Sequence, residues 1–167
     1  SVATALPLVA PLQCPDTAAA IVIVAQSLQP DLAQGFQIDA LRLRLEMERA
    51  FGGSDATGAW DWKLAYEAGE VALVLFLRKF GRALLARAGS PVGLLPILAK
   101  VAGLLPTHTR RSEEMERFQQ FSTPLPMGLA ALAAAQISPR DLVLEPSAGT
   151  GLLAILAEIA GGSLALN

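Results

Sequence analysis

The stretch DLVLEPSAGTG, residues 141–151, decides the fold of the C-terminal part of this chain. Residues 141–145 have the pattern of a short, buried, apolar strand with polar ends, and a glycine-rich turn follows directly. A helix is predicted over 152–160, and Gly161 and Gly162 end it. Residues 163–166 then begin a second strand. This succession of strand, turn, helix and strand predicts one βαβ unit.

The turn has the composition of a ligand-binding device. Gly149 and Gly151 allow a sharp bend and a close approach of the backbone to a ligand, and open parallel sheets place ligands at the carboxyl ends of their strands. A dinucleotide site would need G-x-G-x-x-G directly after the strand. This turn instead begins with Glu145, whose charge would repel a pyrophosphate and suit an ammonium or sulfonium group. The residues therefore favour a cationic ligand.

Two motifs carry a family resemblance. LEPSAGTG, residues 144–151, resembles the first motif of class I S-adenosylmethionine-dependent methyltransferases, in the D/E-P-S-x-G-x-G form of the amino-methylating DNA enzymes. QFSTP, residues 120–124, resembles the F-x-T-P motif that precedes the sheet in the same enzymes. The wider stretch 110–151 is similar to bacterial, plasmid and phage proteins that fuse such a methylase to a Strawberry notch-like helicase.

The resemblance implies a pocket for S-adenosylmethionine and transfer of its methyl group to a DNA base amine, with adenine as the expected base. In the family, the upstream motif helps to hold the methionine end of the cofactor, and the first motif lines the same pocket. The residues that match are Phe121, Thr123, Pro124, Glu145, Ser147, Gly149 and Gly151.

Two further parts of the family's site have no counterpart in this sequence. The acid that binds the ribose hydroxyls would fall at or just after Asn167, and the D/N-P-P-Y/F motif that grips the target amine does not occur. Residues 109–167 are therefore expected to be the truncated start of a methyltransferase domain. The resemblance places no catalytic residue in the chain, so we expect this fragment to be inactive alone and its cofactor binding to be incomplete.

The preceding residues predict a helical domain over 16–108, after a proline-containing leader over 1–15. We expect Asp16 to cap the first helix and Pro30 to close it. The helices are predicted over 17–28, 38–51, 60–88, 91–105, 112–120 and 126–136. The chain is thus predicted to be mostly α: an α-helical N-terminal region followed by the truncated start of an α/β Rossmann-like methyltransferase domain.

Two of these helices contain residues that often interrupt a helix. A break is expected at Gly69, and a kink or break is expected near Pro96. In the longest helix, the apolar residues of the second half are Val71, Val74, Leu75 and Leu85. Arg78, Lys79 and Arg82 are interspersed among them.

Composition excludes several classes of function. A single cysteine, Cys14, rules out an internal disulfide and a cysteine-based zinc site, and a single histidine, His108, rules out a His-rich metal site. No apolar run approaches the roughly 20 residues that span a bilayer. We therefore expect no membrane or metal partner and a cytoplasmic location. The net charge of −2 gives no global argument for nucleic-acid binding, although a local basic face could provide it.

Alternative interpretations remain open. The chain could be a non-catalytic helical module that binds protein or DNA in a helicase-associated protein, or a nucleotide- or NAD-binding Rossmann fragment. Two groups of basic residues could face DNA or form solvated helix surfaces; they are Arg42, Arg44 and Arg49, and Arg78, Lys79, Arg82 and Arg87. The two glycines could instead form a simple tight turn. Thr123 could instead cap the start of a helix.

The short sheet predicts self-association. One or two strands do not make a stable sheet alone. We expect the chain after about Gln136 either to lack order or to pair its strands with another chain.

Overall fold

A computed structural model describes residues 16–106 and 123–167 and shows a mostly helical chain, which confirms that part of the predicted fold class. The predicted helix over 112–120 lies outside the described residues. In chain order the elements are α1 (Thr17–Gln34), α2 (Ala40–Phe51), a 3-10 turn (Asp55–Thr57), α3 (Trp62–Ala88), α4 (Pro91–Ala102), α5 (Leu125–Ala135), β1 (Leu142–Glu145), α6 (Leu152–Ile159) and β2 (Ser163–Leu166).

Helix α1 begins as predicted and ends later than predicted. The carboxylate of Asp16 accepts a hydrogen bond from the Ala18 N–H at 3.1 Å, which satisfies one free donor of the first turn. Pro30, however, lies inside the helix, so the prediction that it closes α1 was wrong. Leu28 and Leu32 on either side of it are buried, and this packing outweighs the missing backbone hydrogen bond.

Helix α3 is continuous through Gly69, so the predicted break is absent. Val71, Val74, Leu75 and Leu85 are half-buried and pack against the core. The buried side carries small residues and three large apolar ones: Ala65, Ala68, Gly69, Ala72, Leu73, Phe76, Leu77 and Gly81. Small side chains let the neighbouring helices approach α3 closely, and α1 makes the most extensive contact with it.

Helix α4 starts at the predicted Ser90-Pro91 pair, where the Ser90 hydroxyl accepts from the Gly93 N–H at 3.0 Å. Pro96 lies within the helix, which ends at Ala102. The loop before α2 is joined to the residues after α4, because the Ile38 N–H donates to the Leu104 carbonyl at 2.8 Å.

Strands β1 and β2 pair in parallel, with Leu142 opposite Ser163 and Glu145 opposite Leu166, and α6 connects them. The βαβ unit is therefore present as predicted. The expectation that β1 is buried was wrong: Leu142 is 73% exposed and Leu144 is 71% exposed. Helix α6 contacts both strands, and within the described residues no element covers the side chains of Leu142 and Leu144.

One cluster of buried side chains extends from α1 to α6, across the predicted domain boundary at residue 109. Helix α6 packs on α3, where Ile159 contacts the backbone at Gly81. The residues after Gln136 thus form β1, α6 and β2 on the helical region rather than lacking structure. Pairing of these strands with a second chain stays a prediction.

The two buried glycines of α3 give a test of this packing. A methyl group at Gly69 would make ordinary contact with Leu105 at 3.5 Å, whereas one at Gly81 would lie 2.7 Å from Cγ2 of the β-branched Ile159. Alanine improves helix propensity by about 1 kcal/mol at either site, and overpacking costs about 1–3 kcal/mol.

We therefore expect Gly69→Ala to raise the free energy of unfolding and Gly81→Ala to lower it, measured by urea denaturation. Equal effects of the same sign would contradict the close contact between α3 and α6.

Candidate functional site

The glycine-rich turn joins β1 to α6 and leaves its backbone accessible. Gly149 and Gly151 have φ values of +53° and +88°, in the left-handed region that favours glycine. Among the described residues, a Cβ at Gly149 would meet only the Ser147 carbonyl oxygen, at 4.0 Å. Gly151 is the N-cap of α6 and provides no side-chain acceptor for the first turn of that helix. A ligand can therefore approach the backbone at Gly149 closely.

Glu145 lies where β1 ends and bends back over the turn. Its Oε1 accepts a hydrogen bond from the Ser147 N–H at 3.0 Å, and the side chain is half-buried. The backbone of the turn is also joined to the end of β2, since the Asn167 N–H donates to the Glu145 carbonyl at 3.1 Å. The structure thus brings Glu145, Ser147, Gly149 and Gly151 together at the carboxyl ends of two parallel strands.

Helix α3 contributes a residue that the sequence interpretation missed. The Thr150 hydroxyl donates to Oε2 of Glu70 at 3.0 Å, and both side chains are partly buried. Beside it, a Cβ at Gly151 would lie 4.0 Å from Cγ1 of Val74. Glu70 precedes the turn by 80 residues, and no local pattern distinguishes it from an ordinary helical acid, so only the fold could identify it.

A second acid lies one helical turn before Glu70. Burial raises the pKa of Glu67, the negative charges of Glu70 and Asp61 raise it further, and the positive charge of Lys63 opposes them. Burial and the neighbouring acids thus favour the neutral form of Glu67 more than in an exposed glutamate.

The upstream motif is only partly described. Phe121 lies outside the described residues, while Thr123 is half-buried and Pro124 is exposed. Pro124 is the N-cap of α5, and its carbonyl accepts a hydrogen bond from the Met127 N–H at 2.9 Å. The alternative in which Thr123 caps this helix is therefore wrong. Helix α5 contacts α6, since a Cβ at Gly128 would lie 2.7 Å from Leu156.

Two cavities lie near these elements, and neither encloses the whole predicted site. A cavity of about 160 Å³ lies between α5, β1 and α6, and among the predicted site residues that the structure describes only Glu145 lines it. It is small compared with the roughly 300–1,000 Å³ of typical ligand pockets. A larger cavity of about 530 Å³, at the ends of α3 and α5, contains none of the predicted residues. We assign the site from the chemistry of the turn rather than from cavity size.

Charge separates the two ends of α6. Residues 141–167 contain Asp141, Glu145 and Glu158 and no lysine or arginine. Among the described residues, basic side chains reach the C-terminal end of α6, where Arg78 pairs with Glu158 at 3.5 Å and Arg82 donates to the Glu158 carbonyl at 3.3 Å. This is the end that favours cations. The turn at the other end is acidic.

The basic groups considered for DNA contact are mostly paired. Arg42 and Arg49 pair with the buried Glu46, and Arg44 pairs with Asp55 at 3.2 Å. In the second group, Arg78 pairs with Glu158, and Arg82 donates to a backbone carbonyl. Contact with DNA through these faces stays a prediction.

No protein-family model, curated protein or solved structure matches the chain. Over residues 16–106 and 123–167, no three histidine, cysteine or acidic side chains are grouped to hold a metal ion. In the same residues, no helix combines the length and apolar character needed to cross a membrane.

Proposed function

We propose that the glycine-rich turn and its neighbours form part of an S-adenosylmethionine pocket, in a chain that belongs to a DNA amino-methyltransferase of the Rossmann-like class. The observation that carries the proposal is the open backbone at Gly149, next to the acidic strand end at Glu145, within a parallel βαβ unit. The resemblance of residues 120–124 and 144–151 to two motifs in the family's order supports the same assignment.

The residues at the turn fit the cofactor better than a dinucleotide. S-adenosylmethionine carries a sulfonium and an ammonium group, and carboxylates stabilise both by charge. A pyrophosphate would meet the carboxylate of Glu145 at the start of the turn, and residues 141–167 contain no lysine or arginine that could pair with it. The acidic surroundings thus favour a cationic ligand.

In this proposal, Ser147, Gly149 and Gly151 present backbone to the cofactor, and Glu145 faces its positive charge. Phe121, Thr123 and Pro124 would contact the methionine end, as the resemblance implies. When bound, the cofactor supplies an electrophilic methyl group. Methyl transfer to adenine is proposed for the whole protein, which would have to extract the base from the stack.

Isothermal titration calorimetry with three ligands tests the assignment. We expect S-adenosylmethionine and S-adenosylhomocysteine to bind and NAD not to bind. The two adenosyl ligands differ by the sulfonium charge. Glu145→Gln should therefore weaken the binding of S-adenosylmethionine more than the binding of S-adenosylhomocysteine. Binding of NAD alone would overturn the proposal in favour of a nucleotide-binding fragment. Binding of none of the three ligands would overturn the assignment of a cofactor pocket to this chain.

A further inference from the structure

Within the described residues, one side-chain hydrogen bond joins the glycine-rich turn to the helical region. Thr150 lies between the two left-handed glycines, and its hydroxyl donates to Glu70 of α3. The remaining hydrogen bonds that shape the turn are local or reach β2: the Gly151 N–H to the Ala148 carbonyl at 2.7 Å, and the Ala148 N–H to the Asn167 carbonyl at 3.4 Å.

A turn with glycine on both sides of its central residue has many accessible backbone conformations. Within the part of the chain that the structure describes, no close neighbour restricts Gly149. A hydrogen bond from the central residue to a partly buried carboxylate is stronger than one between neutral groups and removes much of this freedom. Glu70 itself lies on a long helix whose adjacent residues, Ala68 and Gly69, are buried in the core. The backbone that carries Glu70 is therefore held by packing, and the hydrogen bond joins the turn to it.

We propose that Glu70 is a positioning residue of the ligand site: it holds Thr150, and through it the backbone of Gly149, in the conformation that receives the ligand. Helix α3 is then part of the site although it belongs to the helical region. For its ligand, this inference rests on the proposed S-adenosylmethionine pocket.

Hydrogen exchange and calorimetry on the full chain test the inference together. We expect Thr150→Val and Glu70→Ala to increase the rate of amide exchange at residues 149–152. We also expect both variants to bind S-adenosylhomocysteine about tenfold more weakly, which is the scale of a lost hydrogen bond to a charged group. Thr150→Ser keeps the hydroxyl and should restore both properties. The double variant Glu70→Ala/Thr150→Val should be no worse than Glu70→Ala alone, because that substitution already removes the hydrogen bond to Thr150.

Arg78→Gln is the matched control. It removes a side-chain contact between α3 and α6 at the opposite end of α6. General loosening of the two helices would appear in this variant too, whereas loss of the turn's tether would not. Exchange at residues 149–152 should therefore stay at the wild-type level in Arg78→Gln.

The outcomes separate this inference from the proposed function. Unchanged exchange at the turn in Thr150→Val would overturn the positioning role whether or not a ligand binds. Faster amide exchange at residues 149–152 with an unchanged affinity for S-adenosylhomocysteine would show that the hydrogen bond between Thr150 and Glu70 does not contribute to binding. If the wild type binds neither adenosyl ligand, the proposed function fails, and raised exchange confined to the Glu70 and Thr150 variants would still support the tether.

Discussion

Gly149→Val is expected to abolish measurable binding of S-adenosylhomocysteine while the chain remains folded. The φ value of +53° is unfavourable for a β-branched residue, and the left-handed conformation costs roughly 1–2 kcal/mol for residues other than glycine. The side chain would project into the open space where the backbone is accessible. We expect an affinity loss of at least about a hundredfold, or about 2.7 kcal/mol, measured by calorimetry.

Gly58→Val is the control for backbone strain. Gly58 has a similar φ of +72° and open space around it, but it lies after the 3-10 turn, remote in sequence from the predicted site. Both variants should lose similar stability in urea, and only Gly149→Val should lose binding. Equal binding by the two variants would show that the ligand does not approach Gly149.

Leu156→Ala is expected to cause the largest loss of stability among the changes considered. Leu156 is 1% exposed and fills the space beside Gly128, which has no side chain to occupy a cavity left there. Truncation of a buried leucine costs about 2–5 kcal/mol, and a site that cannot collapse lies high in this range. The melting temperature should fall by on the order of 10 °C.

The control for this change is Leu144→Ala on the exposed side of β1. With 71% of Leu144 exposed, its truncation should alter the free energy of unfolding by less than about 0.5 kcal/mol. Because one buried cluster joins α1 to α6, the chain should unfold in a single cooperative transition, and Leu156→Ala should lower the midpoint of that transition. Two separate transitions, with only one moved by the substitution, would show that the βαβ unit unfolds independently of the helices.

Local chemistry made part of the fold predictable. Asp16 and Ser90 bond amides two or three residues away, so each helix start depends on its own neighbours and can be recognised in sequence. Strand β2 occupies the predicted residues, and β1 and α6 each agree with the prediction to within one residue. The turn also has its expected glycine geometry, because only glycine adopts a φ near +90° without cost.

The sequence by itself determined the mostly helical class, the βαβ unit and the acidic, glycine-rich turn, since each depends on residues close together in the chain. Tertiary structure alone decided that α1 continues through Pro30, that α3 packs through its small residues, and that Glu70 meets Thr150. The physical reason is that these outcomes depend on which distant surfaces become buried together. Packing of Leu28 and Leu32 outweighs one lost hydrogen bond, and a contact across 80 residues has no local signature.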